Sequence, residues 1–400
     1  MTDFKYFTPT EVVFGRESEA ALPGLLKKYG ARKVLVHYGG GSAVRSGLLG
    51  KVEALLAEAG LPFAELGGVV PNPHLSLVRE GIGLCRKENV DFILAVGGGS
   101  VIDSAKAIAY GLAYDGDVWD FYDSKAVPQA SFPVGVVLTI PASGSEMSDS
   151  SVITNTEKGQ KRGCNSDLCR PKFAVMNPER SFTLPAFQTA CGVTDIMMHT
   201  MERYFSPDEA MPITDAVAEG LMRSVRTAGE AVLKDPENYA LRASIMWSGS
   251  LAHNGLTGCG ARSDFGTHRL EHELSTMYGV AHGAGLAALW CHWAEYVMDV
   301  NPSRFARFAE KVMDVNPLDS AGARLSDRSL GKLGIEAMRS FYTRIGMPTD
   351  IPGLIGRKAT EEEMAVMAER CSRGGTITTG SFKVLDRAAM LDVYRMANGG

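Results

Sequence analysis

Asp91-Phe92-Ile93-Leu94-Ala95-Val96-Gly97-Gly98-Gly99-Ser100 decides the fold: an apolar run ends in three glycines and passes into a helical stretch reaching about Leu112. A short segment that is apolar on successive residues suits a strand buried on both faces, as in a parallel sheet covered by helices. Glycine permits the tight turn at its end. Successive backbone N–H groups opening the next helix favour a phosphate or pyrophosphate there. Ser100 to Asp103 also has the S-x-x-D spacing of a helix capping box, which needs no ligand. Working outward, Lys33 to His37 (KVLVH) is a second such strand, preceded by a helix around residues 17 to 29 and followed by Tyr38-Gly39-Gly40-Gly41-Ser42. Both turns fall at strand C-termini, where open α/β sheets place ligands. Val134 to Leu138 reads as a third strand leading into Thr139-Ile140-Pro141-Ala142-Ser143-Gly144-Ser145-Glu146. After it, residues 151 to 173 read as a polar hairpin returning to a strand at Phe173 to Met176.

From Leu184-Pro185 onward the signals change to stretches rich in Ala, Leu, Met and Glu, punctuated by Gly and Asn-Pro. The expected architecture is therefore an α/β, Rossmann-like dinucleotide-binding domain over residues 1–184 and an all-helical, metal-binding domain over 185–400. With 400 residues, 45% hydrophobic and 22% charged, the chain is long enough for more than one core. Its net charge of −5 opposes nucleic acid and anionic membrane as partners. The seven cysteines are odd in number and form no CxxC pair, which fits a reducing cytoplasm. The N-terminus has neither the basic start nor the apolar core of a secretory signal, and no uncharged apolar run is long enough to span a bilayer. A cytoplasmic location is expected, and Asn398-Gly399-Gly400 reads as a frayed end.

Neither glycine turn matches G-x-G-x-x-G, so the common dinucleotide fingerprint is absent. If a dinucleotide binds, Gly39-Gly40-Gly41-Ser42 is where its adenosine ribose would sit. That turn lacks the carboxylate that holds a free 2′-hydroxyl and repels a 2′-phosphate. With Ser42 as a donor and Arg45 nearby, NADP(H) is expected in preference to NAD(H).

Four of the eight histidines fall between residues 268 and 292. His268 and His272 are four apart on one helical face, Gly279 is placed to end that helix, and His282 opens the next. Upstream, Asp195 and His199 share a face of another helix. Asp195, His199, His268 and His282 together offer three imidazoles and a carboxylate, a set suited to Zn²⁺ or Fe²⁺. The spacing is not H-E-x-x-H, so a metalloprotease is unsupported. His37, His74, His253 and His292 are expected to be structural, and the Met197, Met198 and Met201 face to be core.

At this point the chain resembles the iron-containing (group III) alcohol dehydrogenases, within them the NADPH-dependent aldehyde reductase and butanol dehydrogenase branch. The resemblance rests on Tyr38 to Ser42, Pro71-Asn72-Pro73, Ala95 to Ser100, Leu138 to Glu146, Gly192-x-x-Asp195-x-x-x-His199, and His268-x-x-x-His272 followed by His282-Gly283. It implies a dehydroquinate synthase-like architecture, with cofactor and metal meeting in a cleft between the domains. It also implies that Asp195, His199, His268 and His282 are the metal ligands and that Gly97, Gly98, Gly99 and Ser100, with Asp103 in the following helix, serve the pyrophosphate. Asn72, Thr139, Ser143 and Lys161 would line the cofactor groove, and His272 would face the nicotinamide and relay protons. LTIPASGSE departs from the family's Thr-Thr-Ala-Gly-Thr run, which puts cofactor contacts from Ile140 to Ala142 in doubt. Gly39 stands where NAD-preferring relatives often carry aspartate.

The expected reaction is hydride transfer between NADP(H) and a primary alcohol or aldehyde such as butanol or butanal. A glycerol or diol dehydrogenase of the same family is the nearest alternative. A dehydroquinate synthase-like lyase has thin support, since Lys161, Arg162 and Arg262 are the main basic residues available to hold a sugar phosphate. A non-catalytic nucleotide sensor has no residue speaking for it. The strand-like segment Phe4 to Phe14 could pair across a two-fold axis, and a homodimer is expected.

Overall fold

The computed structural model describes residues 1–208 and 211–399. It begins with β1 (Glu11–Phe14), α1 (Leu22–Lys28), β2 (Val34–Gly39), the short α2 (Ser42–Arg45), α3 (Leu48–Glu58), β3 (Phe63–Val69) and α4 (Leu75–Glu88). There follow β4 (Phe92–Gly97), α5 (Gly99–Leu112), the short α6 (Trp119–Tyr122), β5 (Val134–Leu138), the hairpin strands β6 (Ser150–Asn155) and β7 (Gln160–Asn165), and β8 (Phe173–Met176). Six strands form a parallel sheet in the order β1-β8-β5-β4-β2-β3, while β6 and β7 pair antiparallel with each other.

Along β4 all six residues are buried, and alternate ones enter different cores. Ile93 and Ala95 join Leu35, Val136, Ile102 and Ile108 on one side of the sheet. Phe92, Leu94 and Val96 join Val34, Val36 and Leu26 on the other. Period-two alternation between two covered faces explains why these strands read as continuous apolar runs. His37 sits inside this packing with Nδ1 2.8 Å from the Leu66 carbonyl and Nε2 2.8 Å from Ser104 Oγ. Burial pushes its imidazole down to about 4, as a structural, uncharged histidine requires.

The last strand of the sheet ends at Met176, and from α7 (Ala186–Tyr204) the elements are helices: α8 (Pro212–Val232), α9 (Tyr239–His253), α10 (Gly266–Tyr278), α11 (His282–Val297), and α12 (Pro302–Lys311) through α16 (Arg387–Ala397). The chain divides into two compact units. One comprises residues 7–184 and 237–254, the other 1–6, 185–236 and 255–400. Helix α9 thus packs with the sheet: Met246 enters its core and Trp247 meets Phe14 edge-on at 6.3 Å. Among the described residues no helix is long and apolar enough to cross a membrane.

Three local expectations are corrected. Only Glu11–Phe14 of the N-terminal segment is a strand, paired in parallel with Phe173–Met176 of β8. Ser100 does not cap α5: the N-cap is Gly98, with no side-chain hydrogen bond, and Asp103 turns to other partners. Asn398 is not frayed, since its side chain both accepts from the Ala359 N–H and donates to the Ala359 carbonyl; Gly400 lies outside the described residues.

Candidate metal and dinucleotide sites

In the sheet unit, register aligns Tyr38 of β2 with Val96 of β4, and Val96 with Val137 of β5. The two glycine turns and the segment from Thr139 therefore leave the sheet side by side. The chain runs outward from β2 to β3 on one side and from β4 to β5 on the other, so the two glycine turns flank the point where strand order reverses, which is where open α/β sheets bind ligands.

Close packing explains part of the glycine run independently of any ligand. A Cβ at Gly98 would stand 2.9 Å from Ile140 Cβ, and one at Gly99 2.3 Å from Ser143 Oγ. Thr139 donates its N–H to the Gly97 carbonyl at 3.0 Å, and His253 Nδ1 lies 2.8 Å from the Ser143 carbonyl, so the 139–143 segment is held against the turn. Below it, Asp103 accepts from Ser145 Oγ at 2.6 Å and from the Val152 N–H at 3.0 Å. Lys106, one turn on, is fully buried and donates to Ser145 Oγ and to the carbonyls of Ser148 and Ser150. Both charged residues pin the path from Ser145 to the hairpin. Lys161 lies on that hairpin opposite Thr154, whose N–H donates to the Pro73 carbonyl at 2.8 Å. Asn72, in the left-handed conformation at φ 56°, directly precedes Pro73 and so lies at the β6 side of the hairpin that carries Lys161.

At the other turn, Gly41 has φ 139° and the Arg45 guanidinium folds over it, so that a Cβ there would meet Arg45 Nη1 at 2.8 Å. Gly39 is different. A Cβ would make only an ordinary contact, 3.5 Å from the Val69 carbonyl.

In the helical unit α11 packs on both α7 and α10, which brings the four expected metal-ligating residues near one another. Asp195 and His199 lie one turn apart on α7, which is buried on nearly every residue from Thr189 onward. Gly279, at φ 67°, ends α10, and His282 is the first residue of α11. Asp195 Oδ1 is the focus: His199 Nδ1 lies 3.2 Å from it, His268 Nε2 3.7 Å and His282 Nε2 3.8 Å. Two ligand atoms bound tetrahedrally at about 2.1 Å to one cation stand roughly 3.4 Å apart. Ligand atoms of Asp195, His268 and His282 lie within 4.8 Å of one another, as a shared ion requires, while His199 approaches Asp195 without joining that group. Asp195 Oδ1 and His268 Nε2 are buried without a hydrogen-bond partner among the described residues, an expense a fold rarely carries unless something else satisfies them. Burial pulls the His268 imidazolium down, but the Asp195 and Glu202 carboxylates outweigh it and lift the group to about 9. The local field favours positive charge. His272 is close by, its ring centre 5.8 Å from that of His282.

Two carboxylates at this centre were not singled out from the sequence. Glu202 lies three residues beyond His199, on the same stripe of α7 as Asp195, and Glu271 three beyond His268. That spacing was a usable signal.

A helical unit carrying a cluster of candidate metal ligands, together with a doubly wound sheet unit, points to a class of dinucleotide-linked dehydrogenase folds, and comparison with known proteins identifies which. Residues 9–178 match the family "Iron-containing alcohol dehydrogenase" and residues 189–398 its "Fe-containing alcohol dehydrogenase family, C-terminal" counterpart. The chain belongs to the iron-containing alcohol dehydrogenase family and is an alcohol dehydrogenase oxidoreductase. It is 40% identical to the probable NADH-dependent butanol dehydrogenase 1 of Bacillus subtilis, with 99% of each chain covered. Similarity to the NADPH-dependent aldehyde reductase YqhD of Escherichia coli is 36% identity, over 92% of this chain and 96% of that one. The crystal structure of NADH-dependent butanol dehydrogenase A from Thermotoga maritima superposes with a TM-score of 0.93 at 36% identity, covering 99% of both chains. Membership implies a divalent metal and a nicotinamide cofactor.

Proposed function

We propose that this chain transfers a hydride between NADP(H) and a primary alcohol or aldehyde of the butanol/butanal class, working chiefly as an aldehyde reductase. The observation that carries the reading is the convergence of three imidazole nitrogens within 3.8 Å of one buried carboxylate oxygen. Asp195, His199, His268 and His282 would hold Fe²⁺ or Zn²⁺. When bound, such a cation supplies Lewis acidity toward a carbonyl oxygen, and the nicotinamide supplies or accepts the hydride.

The chain's own residues do the rest. The Gly97 to Ser100 turn, with no side chain capping α5, leaves backbone N–H groups and the helix dipole to bind the pyrophosphate. Asn72, Thr139, Ser143 and Lys161 line the groove, while Asp103 braces the segment that carries Ser145. An imidazole nitrogen of His272 delivers the proton that the alkoxide product needs.

Cofactor choice follows from Gly39 to Arg45. The named relatives divide between NADH and NADPH, so this chain's own residues carry the preference. The Gly39 to Ser42 turn carries no carboxylate of its own, and the Arg45 guanidinium lies over Gly41, where a 2′-phosphate would need a cation. The Cβ of Gly39→Asp meets only ordinary contacts, and the substitution supplies a carboxylate to accept from a free 2′-hydroxyl and repel a 2′-phosphate. The ratio of kcat/KM for NADPH over NADH should fall about tenfold or more, as expected for gaining or losing one charged contact. An unchanged ratio would place the ribose elsewhere. For the reaction itself, initial rates of NADPH oxidation with butanal should exceed those with NADH; no oxidation of either would reject the substrate class.

A homodimer also belongs to this reading. Among the described residues the outer edge of β1 has no strand partner, and Phe7, Phe14 and Trp247 are exposed. Sedimentation at working concentration should give twice the chain mass of 42.9 kDa, and a monomer would overturn it.

A further inference from the structure

Two buried carboxylates outside the ligand set hold the far nitrogens of two of its imidazoles. Glu202, on α7, accepts through Oε1 from both the His268 backbone N–H at 2.9 Å and His268 Nδ1 at 3.0 Å. Glu271, on α10 and fully buried, accepts from His282 Nδ1 through Oε2, while the Ser275 hydroxyl donates to its Oε1. A carboxylate can only accept, so Nδ1 of each ring carries a proton whatever the ring's charge. Nε2 is then the nitrogen left to bind a cation. It is Nε2 of both rings that faces Asp195 Oδ1.

Hydrogen bonding alone does not account for these residues. Glu202 Oε2 is buried with no hydrogen-bond partner among the described residues, and with Asp195 and Glu271 it makes three buried carboxylates around one cluster of rings. Buried charge is costly unless compensated, and a divalent cation among these rings would compensate it. We infer that Glu202 and Glu271 are positioning residues of the metal centre: they fix the tautomer and orientation of His268 and His282 and make each Nε2 a stronger donor to the cation. This rests on the metal reading given above.

The test is competition between a chromogenic chelator and the full chain for Zn²⁺, with the wild type, Glu202→Gln and Glu271→Gln, alongside melting of each metal-free protein. Glutamine keeps an acceptor oxygen and the volume but removes the charge. Each variant should bind Zn²⁺ about 10- to 100-fold more weakly, with the metal-free melting temperature unchanged or raised. Wild-type affinity in a folded variant, or a weakening matched by lost metal-free stability, would overturn the inference. Should either variant fail to fold, nitrogen NMR of the Zn²⁺-loaded wild type decides. Protons on Nδ1 of His268 and His282 are expected, and coordination through either Nδ1 would refute it. If the wild type itself takes up no Zn²⁺ or Fe²⁺, the metal reading fails; if it binds while the variants bind equally, only this inference does.

Discussion

His268→Ala should lose bound metal and turnover together. The side chain is buried, its Nε2 faces Asp195, and its Nδ1 is held by Glu202, so truncation removes one of the four proposed donors and leaves the Glu202 carboxylate facing a cavity. Lewis-acid stabilisation of developing oxyanion charge contributes several kcal/mol, and each 1.4 kcal/mol or so is tenfold in rate. A fall in kcat of about a thousandfold or more is expected, with metal content below one ion per chain after desalting. Nucleotide binding should survive, because the glycine turns lie in the other compact unit. A variant that keeps full turnover without metal would remove His268 from the centre.

The second large effect is expected at a residue outside the proposed ligand and cofactor set. Gly283 follows His282 in the first turn of α11, and a Cβ there would lie 2.2 Å from the Cys191 carbonyl oxygen and 2.7 Å from its carbonyl carbon. These are backbone atoms of α7, one turn before Asp195, and cannot rotate aside. Gly283→Ala must push the two helices apart, at a cost of about 3 kcal/mol or more, the upper range of overpacking. Separating α11 from α7 also draws His282 from Asp195, so metal affinity should fall with stability. Gly220→Ala on α8 is the control: nothing lies within 4 Å of its Cβ position, and it should be neutral or gain up to about 1 kcal/mol in helix propensity. Equal melting temperatures and metal affinities for both variants would contradict the packing account.

The strands under the glycine turns were legible because burial on both faces leaves an uninterrupted apolar signature, and Val134–Leu138 and Phe173–Met176 fall where that signature placed them. The four converging residues were legible through i,i+4 spacing and the Gly279 stop. β3 was missed: it is an edge strand reading FAELGGV, and its two glycines carry no strand signal. Gly67 is there because the Tyr38 ring packs over it, 2.6 Å from where a Cβ would be, a tertiary reason that local pattern does not contain. Glu202 and Glu271 escaped notice because a carboxylate on an amphipathic helix ordinarily faces water, and only the approach of α7, α10 and α11 buries these two. The same limit applies to α9, whose composition resembles its neighbours although its side chains pack with the sheet.

The most direct measurement of the central claim follows NADPH absorbance with butanal before and after chelator stripping, and again after reloading with Fe²⁺ or Zn²⁺, with metal counted per chain. Activity should vanish in the stripped protein and return as one ion per chain is restored. Full butanal-dependent oxidation of NADPH by the metal-free protein would contradict the account.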